Sequence, residues 1–248
     1  MSPYTSTMLP RFFSPEPLPT GDCLELPEAV AHHAVRVLRL PAGARIVLFD
    51  GRGGEVEAVL EGQGKRWTAR LVERRDAERE SPLRVVLVQA LASGDKMDWV
   101  VQKAVELGAA GVIPVRAERS VLRLSGERAD KRVAHWREVA VSACEQSGRN
   151  RVPEVAPVLD LRDYLAGTRD GPLRLILDPV GGRRFAAQER PVRECHLLIG
   201  PEGGWSGDEL AACLAAGCTG ITLGPRVLRT ETAGLAALAA MQALWGDF

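Results

Sequence analysis

Two glycine-bearing loops near the C-terminal end of the chain hold the side chains best suited to chemistry. One loop covers residues 200–205 and the other covers residues 224–229. Glycine lets a backbone approach a ligand closely, while guanidinium and carboxylate groups orient polar molecules and stabilise developing charge. The loops therefore predict a small-molecule pocket with a polar reaction centre. The polar side chains expected to line it are Glu202, Arg226, Arg229, Thr230 and Glu231.

Each of these residues also has a purely structural explanation. Gly203 can serve a tight turn, Thr230 can cap the last helix, and Glu231 can complement its dipole. Arg229 can act as a strut that pairs with Glu231 or caps the same helix. We favour a functional site because two loops rich in Gly, Arg and Glu at neighbouring strand ends exceed what a structural explanation requires.

The elements that must position these loops alternate between strand and helix. Apolar runs typical of buried strands occupy residues 84–90, 111–115, 173–178, 196–199 and 220–223. Helical patterns occupy residues 95–107 and 127–146, Ser206 and Glu209 form a capping box, and a last helix begins at Thr230. This alternation predicts a parallel α/β sheet, whose ligands bind at the carboxyl ends of the strands.

The N-terminal part of the chain has a different pattern with little helix. Residues 45–50, 55–60 and 65–72 alternate around a glycine-rich turn, and residues 29–38 fit one short helix. We therefore predict a small β-barrel domain over residues 1–75, a charged linker over residues 76–82 and an α/β domain over residues 83–248.

Composition excludes several classes of protein. No run approaches the roughly 18 apolar residues of a membrane span, and the N-terminus lacks the order of a signal peptide, so we expect a cytoplasmic protein. The five cysteines and four histidines lack the spacing of metal ligands, so we predict no metal. Because 32 basic residues balance 32 acidic ones, a nucleic-acid partner must be held by local patches.

The signature motifs of several enzyme classes are absent. The chain has no Gly-x-Gly-x-x-Gly between an early strand and helix, no P-loop lysine motif and no Gly-x-Ser-x-Gly nucleophile elbow in the loop of residues 200–205. Hydride transfer, phosphoryl transfer and serine hydrolysis are therefore disfavoured.

Two further basic stretches lie near the predicted pocket edge. Arg116, Arg119 and Arg123 follow a strand, and Arg149 follows the end of the long helix. Charged stretches are commonly solvated surface, but an excess of positive charge just past such ends also favours contacts with phosphate.

Five motifs together resemble the RsmE family. They are QKAVELG at residues 102–108, ERS at 118–120, EQSGRNRVP at 145–153, LIGPEGGWS at 198–206 and LGPRVLRTETA at 223–233, and the opening RFF at 11–13 also fits. Members of this family are SPOUT-class enzymes that methylate N3 of a uridine in 16S ribosomal RNA of the small subunit. The resemblance, which covers nearly the whole chain, implies a PUA-like RNA-binding barrel, a trefoil-knotted α/β domain that binds S-adenosylmethionine, and a homodimer.

The resemblance also implies roles in catalysis. Relatives that methylate the ribose 2′-hydroxyl carry Ser-Leu-Asn in the last loop, where this chain has Leu-Arg-Thr-Glu-Thr at residues 228–232, so base methylation is favoured. Arg229 is our first choice for stabilising negative charge on uracil, and Arg226 is the second. Glu202 or Glu231 takes the N3 proton, or water does so.

Binding roles follow from the same resemblance. The residues expected to hold the cofactor are Leu177, Asp178, Pro179, Ile199, Gly200, Pro201, Glu202, Gly203, Leu223, Gly224, Leu228 and Thr230. Those expected to contact RNA are Arg11, Arg119 and Arg149. The alternatives are another RNA methyltransferase of the SPOUT type, another α/β transferase with a nucleotide-like ligand, and a non-catalytic RNA-binding protein on the same fold.

Overall fold

A five-stranded sheet organises the N-terminal part of the chain. Its strands are β1 (Arg11–Phe13), β2 (Cys23–Glu25), β3 (Arg45–Phe49), β4 (Glu55–Gln63) and β5 (Arg66–Arg75), in the order β1-β3-β4-β5-β2. β1 and β3 are parallel, and the other neighbours are antiparallel. Alternation along β3 and β4 places Ile46, Ala58 and Leu60 in one buried core. The three strands predicted from alternation are confirmed. Lys65, the first residue of the strand predicted over residues 65–72, lies outside the described residues.

The segment between β2 and β3 is helical. Helix α1 (Glu28–His32) continues as a π-helical turn over His33–Val37, and Val30 and Ala34 add to the core of the sheet. The helix predicted over residues 29–38 is therefore confirmed, although its second half is wound as a π-helix.

Contacts divide the chain into two units. One comprises Met1–Glu80 with Cys144–Val152, and the other comprises Ser81–Ala143 with Pro153–Phe248. The structure is a computed structural model that describes residues 9–63, 66–167, 171–191 and 194–248. The division based on sequence did not anticipate that residues 144–152 belong with the first unit, because that assignment depends on contacts distant in sequence.

The second unit is built on a parallel sheet, which has eight strands in the described part of the chain. These are β6 (Val85–Ala90), β7 (Gly111–Arg116), β8 (Glu154–Val155), β9 (Leu159–Asp160), β10 (Leu173–Leu177), β11 (Arg183–Arg184), β12 (Cys195–Ile199) and β13 (Thr219–Thr222). The order is β11-β13-β10-β12-β6-β7-β8, with β9 also paired to β7. Every residue of β6 and β12 is buried, as expected for the uninterrupted apolar strands of a covered parallel sheet.

Helices connect these strands. They are α2 (Lys96–Glu106), α3 (Gly126–Ser147), α4 (Leu161–Gly167), α5 (Gly207–Ala215) and α6 (Thr230–Trp245). The predicted capping box is confirmed, since the Ser206 hydroxyl accepts from the backbone N–H of Glu209, whose carboxylate accepts from the N–H of Ser206. None of the helices in the described residues has the length and apolar character needed to cross a membrane.

Candidate active site

A cavity of about 250 Å³ lies where strands β10, β12 and β13 end. These strands are neighbours in the sheet, so the loops that follow them meet at one edge. All four predicted catalytic residues line the cavity, namely Glu202, Arg226, Arg229 and Glu231. So do nine of the predicted cofactor residues, namely Leu177, Pro179, Ile199, Gly200, Pro201, Glu202, Leu223, Leu228 and Thr230. The two loops identified from the sequence therefore do share one pocket.

Three predicted cofactor residues lie beside the cavity and shape its loops. The Asp178 carboxylate accepts from the N–H of Val180 at 3.0 Å and so orders the turn after β10. Gly203 packs against Arg119, and Gly224 hydrogen-bonds with the hydroxyl of Thr222 through its backbone. Contact of Asp178, Gly203 and Gly224 with a cofactor stays a prediction.

Thr230 joins three elements at the base of the cavity. Its buried hydroxyl donates to the carbonyl of Gly200 at 2.5 Å and accepts from the Gln89 side-chain amide at 3.0 Å. Helix α6 has Arg229 at its N-cap position, and no side chain caps the helix there. Thr230 is therefore a connection between α6 and the ends of β12 and β6 rather than a helix cap.

Trp205 covers Gly200 and was not given a role from the sequence. A Cβ atom at Gly200 would lie 3.3 Å from both the indole nitrogen and the backbone nitrogen of Trp205, which is tighter than ordinary contact. The indole also lines the cavity, and its buried N–H has no hydrogen-bond partner in the described part of the chain. A side chain at position 200 would therefore push the indole or the loop backbone out of its place, and the indole N–H is available to a ligand.

Glu202 is held by three donors from the other side of the cavity. Its Oε1 accepts from the backbone N–H of Ser93 at 2.9 Å, the Ser93 hydroxyl at 2.7 Å and Lys96 Nζ at 3.2 Å. Burial on its own raises the pKa of this carboxyl, but the hydrogen bonds from Ser93 and Lys96 outweigh burial and lower the pKa to about 2. Glu202 stays ionised near neutral pH and has little affinity for a proton, which argues against its being the general base.

Lys96 links the two carboxylates of the cavity. Its ammonium lies 3.2 Å from Glu202 and 3.5 Å from Oε2 of Glu231, an oxygen that is buried and accepts no hydrogen bond from the described residues. Sequence reasoning missed Lys96. A signal was present, because a lysine in the first turn of a helix opposes the helix dipole and needs a compensating partner.

Arg226 and Arg229 remain exposed at the cavity. Neither side chain makes a hydrogen bond or ion pair with any described residue, and Glu231 faces Lys96 instead of Arg229. The structural alternative for Arg229, an ion pair with Glu231, is therefore not found among those residues. Both guanidinium groups are available to an incoming substrate.

Arg119 is occupied by the loop that follows β12. Its Nη1 donates to the carbonyl of Gly203 at 3.2 Å and to that of Trp205 at 3.3 Å. The neighbouring backbone N–H of Glu118 donates to Glu209, which also forms the capping box of α5. Residues 118 and 119 thus brace the cavity loop from outside, and an RNA contact by Arg119 stays a prediction.

Arg11 and Arg149 lie buried within the first unit. Arg11 pairs with Glu55 at 2.5 Å and donates to the side-chain carbonyl of Asn150, while Arg149 pairs with Glu80. Burial raises the pKa of Glu55, but hydrogen bonds and charge from Arg79 and Arg11 lower it to about 2. Because carboxylates already hold both guanidinium groups, contact with phosphate would require these pairs to open. Their role toward RNA stays a prediction.

Two family models match different parts of the chain. Residues 79–242 match a family model described as an RNA methyltransferase domain, and residues 26–71 match an RNA methyltransferase PUA domain. Ribosomal RNA small subunit methyltransferase E of Mycobacterium bovis is 35% identical over 246 residues, which cover 96% of this chain and 93% of that protein. The chain belongs to the RsmE family. The corresponding protein of Bacillus subtilis is 34% identical over 219 residues, or 85% of this chain and 86% of its relative.

Two solved structures resemble this RsmE-family chain over nearly its whole length. One is a ribosomal RNA small subunit methyltransferase E from Neisseria gonorrhoeae bound to S-adenosylmethionine, with 41% identity, a TM-score of 0.90 and coverage of 97% of this chain and 99% of that chain. The other is a Legionella pneumophila methyltransferase in complex with the same cofactor, with 35% identity, a TM-score of 0.92 and the same coverage. The predicted α/β domain and PUA-type domain are confirmed, and the trefoil knot stays an expectation from the family.

Within the described residues, no group of three or more His, Cys, Asp and Glu side chains is placed to hold a metal ion. The cysteines among them are free thiols, and burial raises the pKa of Cys144 and of Cys195 to about 12, so neither is a reactive thiolate. The polar groups that face the cavity remain the candidates for chemistry.

Proposed function

We propose that this chain transfers a methyl group from S-adenosylmethionine to N3 of a uridine in 16S ribosomal RNA. The observation that carries the proposal is the cavity itself, in which an apolar wall, two carboxylates and two unpaired arginines meet at the carboxyl ends of three neighbouring strands. The membership of the RsmE family and the likeness to two structures with bound S-adenosylmethionine support the same assignment.

The residues present fit this cofactor. Apolar side chains such as Leu177, Ile221 and Leu223 offer a surface for the adenine ring. The buried Trp205 indole N–H, which has no hydrogen-bond partner among the described residues, matches a cofactor that carries hydrogen-bond acceptors. We assign adenosine and methionine recognition to the backbone around residues 177–179, 199–203 and 223–228.

The reaction requires uracil N3 to exchange its proton for the methyl group. When bound, S-adenosylmethionine supplies an activated methyl group on a sulfonium sulfur. Arg229, with Arg226 second, stabilises the negative charge that develops on the ring oxygens as the proton leaves. Glu231 is our candidate acceptor for that proton because Oε2 has no hydrogen bond, whereas three donors already hold Glu202; water is the alternative acceptor.

The assembly and compartment follow from the same assignment. We propose a cytoplasmic homodimer. Leu244 in the last turn of α6 and Phe248, which follows the helix, are exposed apolar side chains that support self-association. Sedimentation of the purified chain measures this directly, and a monomer at micromolar concentration would contradict it.

Methyl transfer to two forms of the substrate tests the proposal. The purified chain would be incubated with labelled S-adenosylmethionine and either free 16S ribosomal RNA or the assembled small subunit from a strain without the corresponding gene. We expect label in 16S RNA in at least one form. Tight RNA binding without cofactor binding would instead identify a non-catalytic RNA-binding protein, and label only in other RNAs would identify a different RNA methyltransferase.

Lys96 provides a test of how the cavity is held. Replacing Lys96 with methionine removes one of the three donors that hold Glu202 and so loosens the loop after β12 that lines the cavity, and we expect S-adenosylmethionine to bind about tenfold more weakly, as for the loss of one charge-assisted hydrogen bond. Equilibrium binding and the KM for the cofactor measure the effect, and Lys96→Arg should restore part of the affinity. The matched control is Lys103→Met, since Lys103 on the same helix pairs with Glu106 and does not line the cavity. Equal affinities for the Lys96→Met and Lys103→Met variants would contradict the assigned role.

A further inference from the structure

The edge strand β11 presents two adjacent arginines beside the cavity. Arg183 and Arg184 are both exposed, and neither side chain makes a hydrogen bond or ion pair with the described residues. Their strand pairs with β13, so that Arg183 lies opposite Ile221 and Arg184 opposite Thr222. Because Ile221 and Thr222 both line the cavity, the two arginines lie one strand away from it.

A tight turn fixes the position of this strand. The chain leaves β10 at Leu177 and returns through Asp178 and Gly182 to pair with β13. Gly182 N–H donates to the carbonyl of Asp178 at 3.2 Å, and Asp178 N–H donates to that of Ile221 at 2.9 Å. A Cβ atom at Gly182 would lie 2.5 Å from the carbonyl carbon of Ile221, so only glycine permits this approach. The arginines are therefore held by the backbone of the sheet edge.

Neither arginine of β11 forms an ion pair with a described carboxylate. Several other arginines of the chain pair with carboxylates, as Arg75 does with Glu57 and Arg116 with Asp160. The two carboxylates that line the cavity, Glu202 and Glu231, face Lys96, and the Asp178 carboxylate in the same turn accepts from the backbone N–H of Val180. A chain with balanced total charge thus has two arginines without an ion pair among the described residues on β11, next to the strand that lines the cavity, and two more, Arg226 and Arg229, in the cavity lining.

We infer that Arg183 and Arg184 form a docking surface for the phosphate backbone of the RNA next to the target uridine. This inference rests on the proposed function and names a part of the RNA contact that the sequence did not identify. One guanidinium group can donate two parallel hydrogen bonds to two oxygens of a phosphate. Because Arg183 and Arg184 have no carboxylate partner among the described residues, they can bind phosphate without first breaking an ion pair there. The position beside the cavity suits them to align the strand whose base enters it.

The salt dependence of RNA binding tests the surface. In the variant Arg183→Gln with Arg184→Gln, the slope of log affinity against log salt should fall by about 1.4, since each phosphate contact to single-stranded RNA contributes about 0.7. The KM for RNA should rise more than kcat changes, and the affinity for S-adenosylmethionine should stay at the wild-type value, which also reports an intact fold.

A matched variant removes two charges elsewhere. Arg128 and Lys131 are exposed on α3, which contributes no described residue to the cavity, and Glu127 and Asp130 lie next to them in sequence. Replacing Arg128 and Lys131 with glutamine should leave the slope unchanged.

Two results would contradict the proposed docking surface. One is a wild-type salt slope of RNA affinity in the Arg183/Arg184 variant, and the other is an equal decrease of that slope in the α3 variant. If RNA binding depends on Arg183 and Arg184 as predicted but the wild-type chain transfers no methyl group, the docking surface is supported and the proposed function is contradicted.

Discussion

Replacing Arg229 with alanine is expected to lower the single-turnover rate of RNA methylation by roughly 10²–10³, the loss typical of one donor to a developing oxyanion. Binding of S-adenosylmethionine and RNA should stay within a few-fold of the wild type, because the negative charge on uracil develops mainly as the reaction proceeds. The exposed guanidinium has no partner among the described residues, so its loss breaks no ion pair there.

Two companion variants sharpen this prediction. Arg229→Lys should restore little activity, since a point charge cannot reproduce the planar fork that spans a ring oxygen and a neighbouring phosphate. Arg226→Ala, in the same loop, should have the smaller effect. A normal rate for Arg229→Ala at saturating ligands, or a lower melting temperature with weaker cofactor binding, would identify Arg229 as a structural residue.

The second large effect concerns Gly200. Valine at this position should abolish measurable binding of S-adenosylmethionine in a folded protein, because its Cβ would lie 3.3 Å from the Trp205 indole and backbone and its methyl groups would force the loop or the indole to move. Equilibrium binding and thermal melting measure the two properties separately.

Gly207 supplies the control for this substitution. A Cβ atom at Gly207, which begins α5 just after the same loop, would meet no atom within 4 Å. Gly207→Val should therefore bind the cofactor nearly as the wild type does. Normal affinity in a folded Gly200→Val variant would remove this loop from the cofactor site.

The pocket could be predicted from the sequence because its determinants are local. Apolar runs followed by glycine-rich loops identify strand ends, and the parallel sheet brings those ends to one edge, as β10, β12 and β13 show. The capping box at Ser206 is equally local, since its two partners are three residues apart.

Roles that depend on distant partners could not be predicted in this way. The ion pairs of Arg11 with Glu55 and of Arg149 with Glu80 could not be predicted, because the partners are 44 and 69 residues apart in sequence. The partners of Lys96 could not be predicted for the same reason, because Glu202 lies in the loop after β12 and Glu231 in the first turn of α6.

The arginines of β11 were overlooked for a different reason. A strand of two residues has no periodicity, and both side chains are exposed, so nothing in the local pattern sets Arg183 and Arg184 apart from other surface arginines. Their significance comes from the pairing of β11 with β13, which only the folded sheet defines.

Analysis of the modified nucleoside tests the central claim most directly. Small-subunit RNA from a strain without the corresponding gene would be treated with the purified chain and S-adenosylmethionine, digested to nucleosides and separated by chromatography with mass detection. The proposed reaction predicts one new product, 3-methyluridine, which depends on both enzyme and cofactor. A methyl group on the ribose 2′-oxygen or on another base, or no methylated nucleoside, would contradict it.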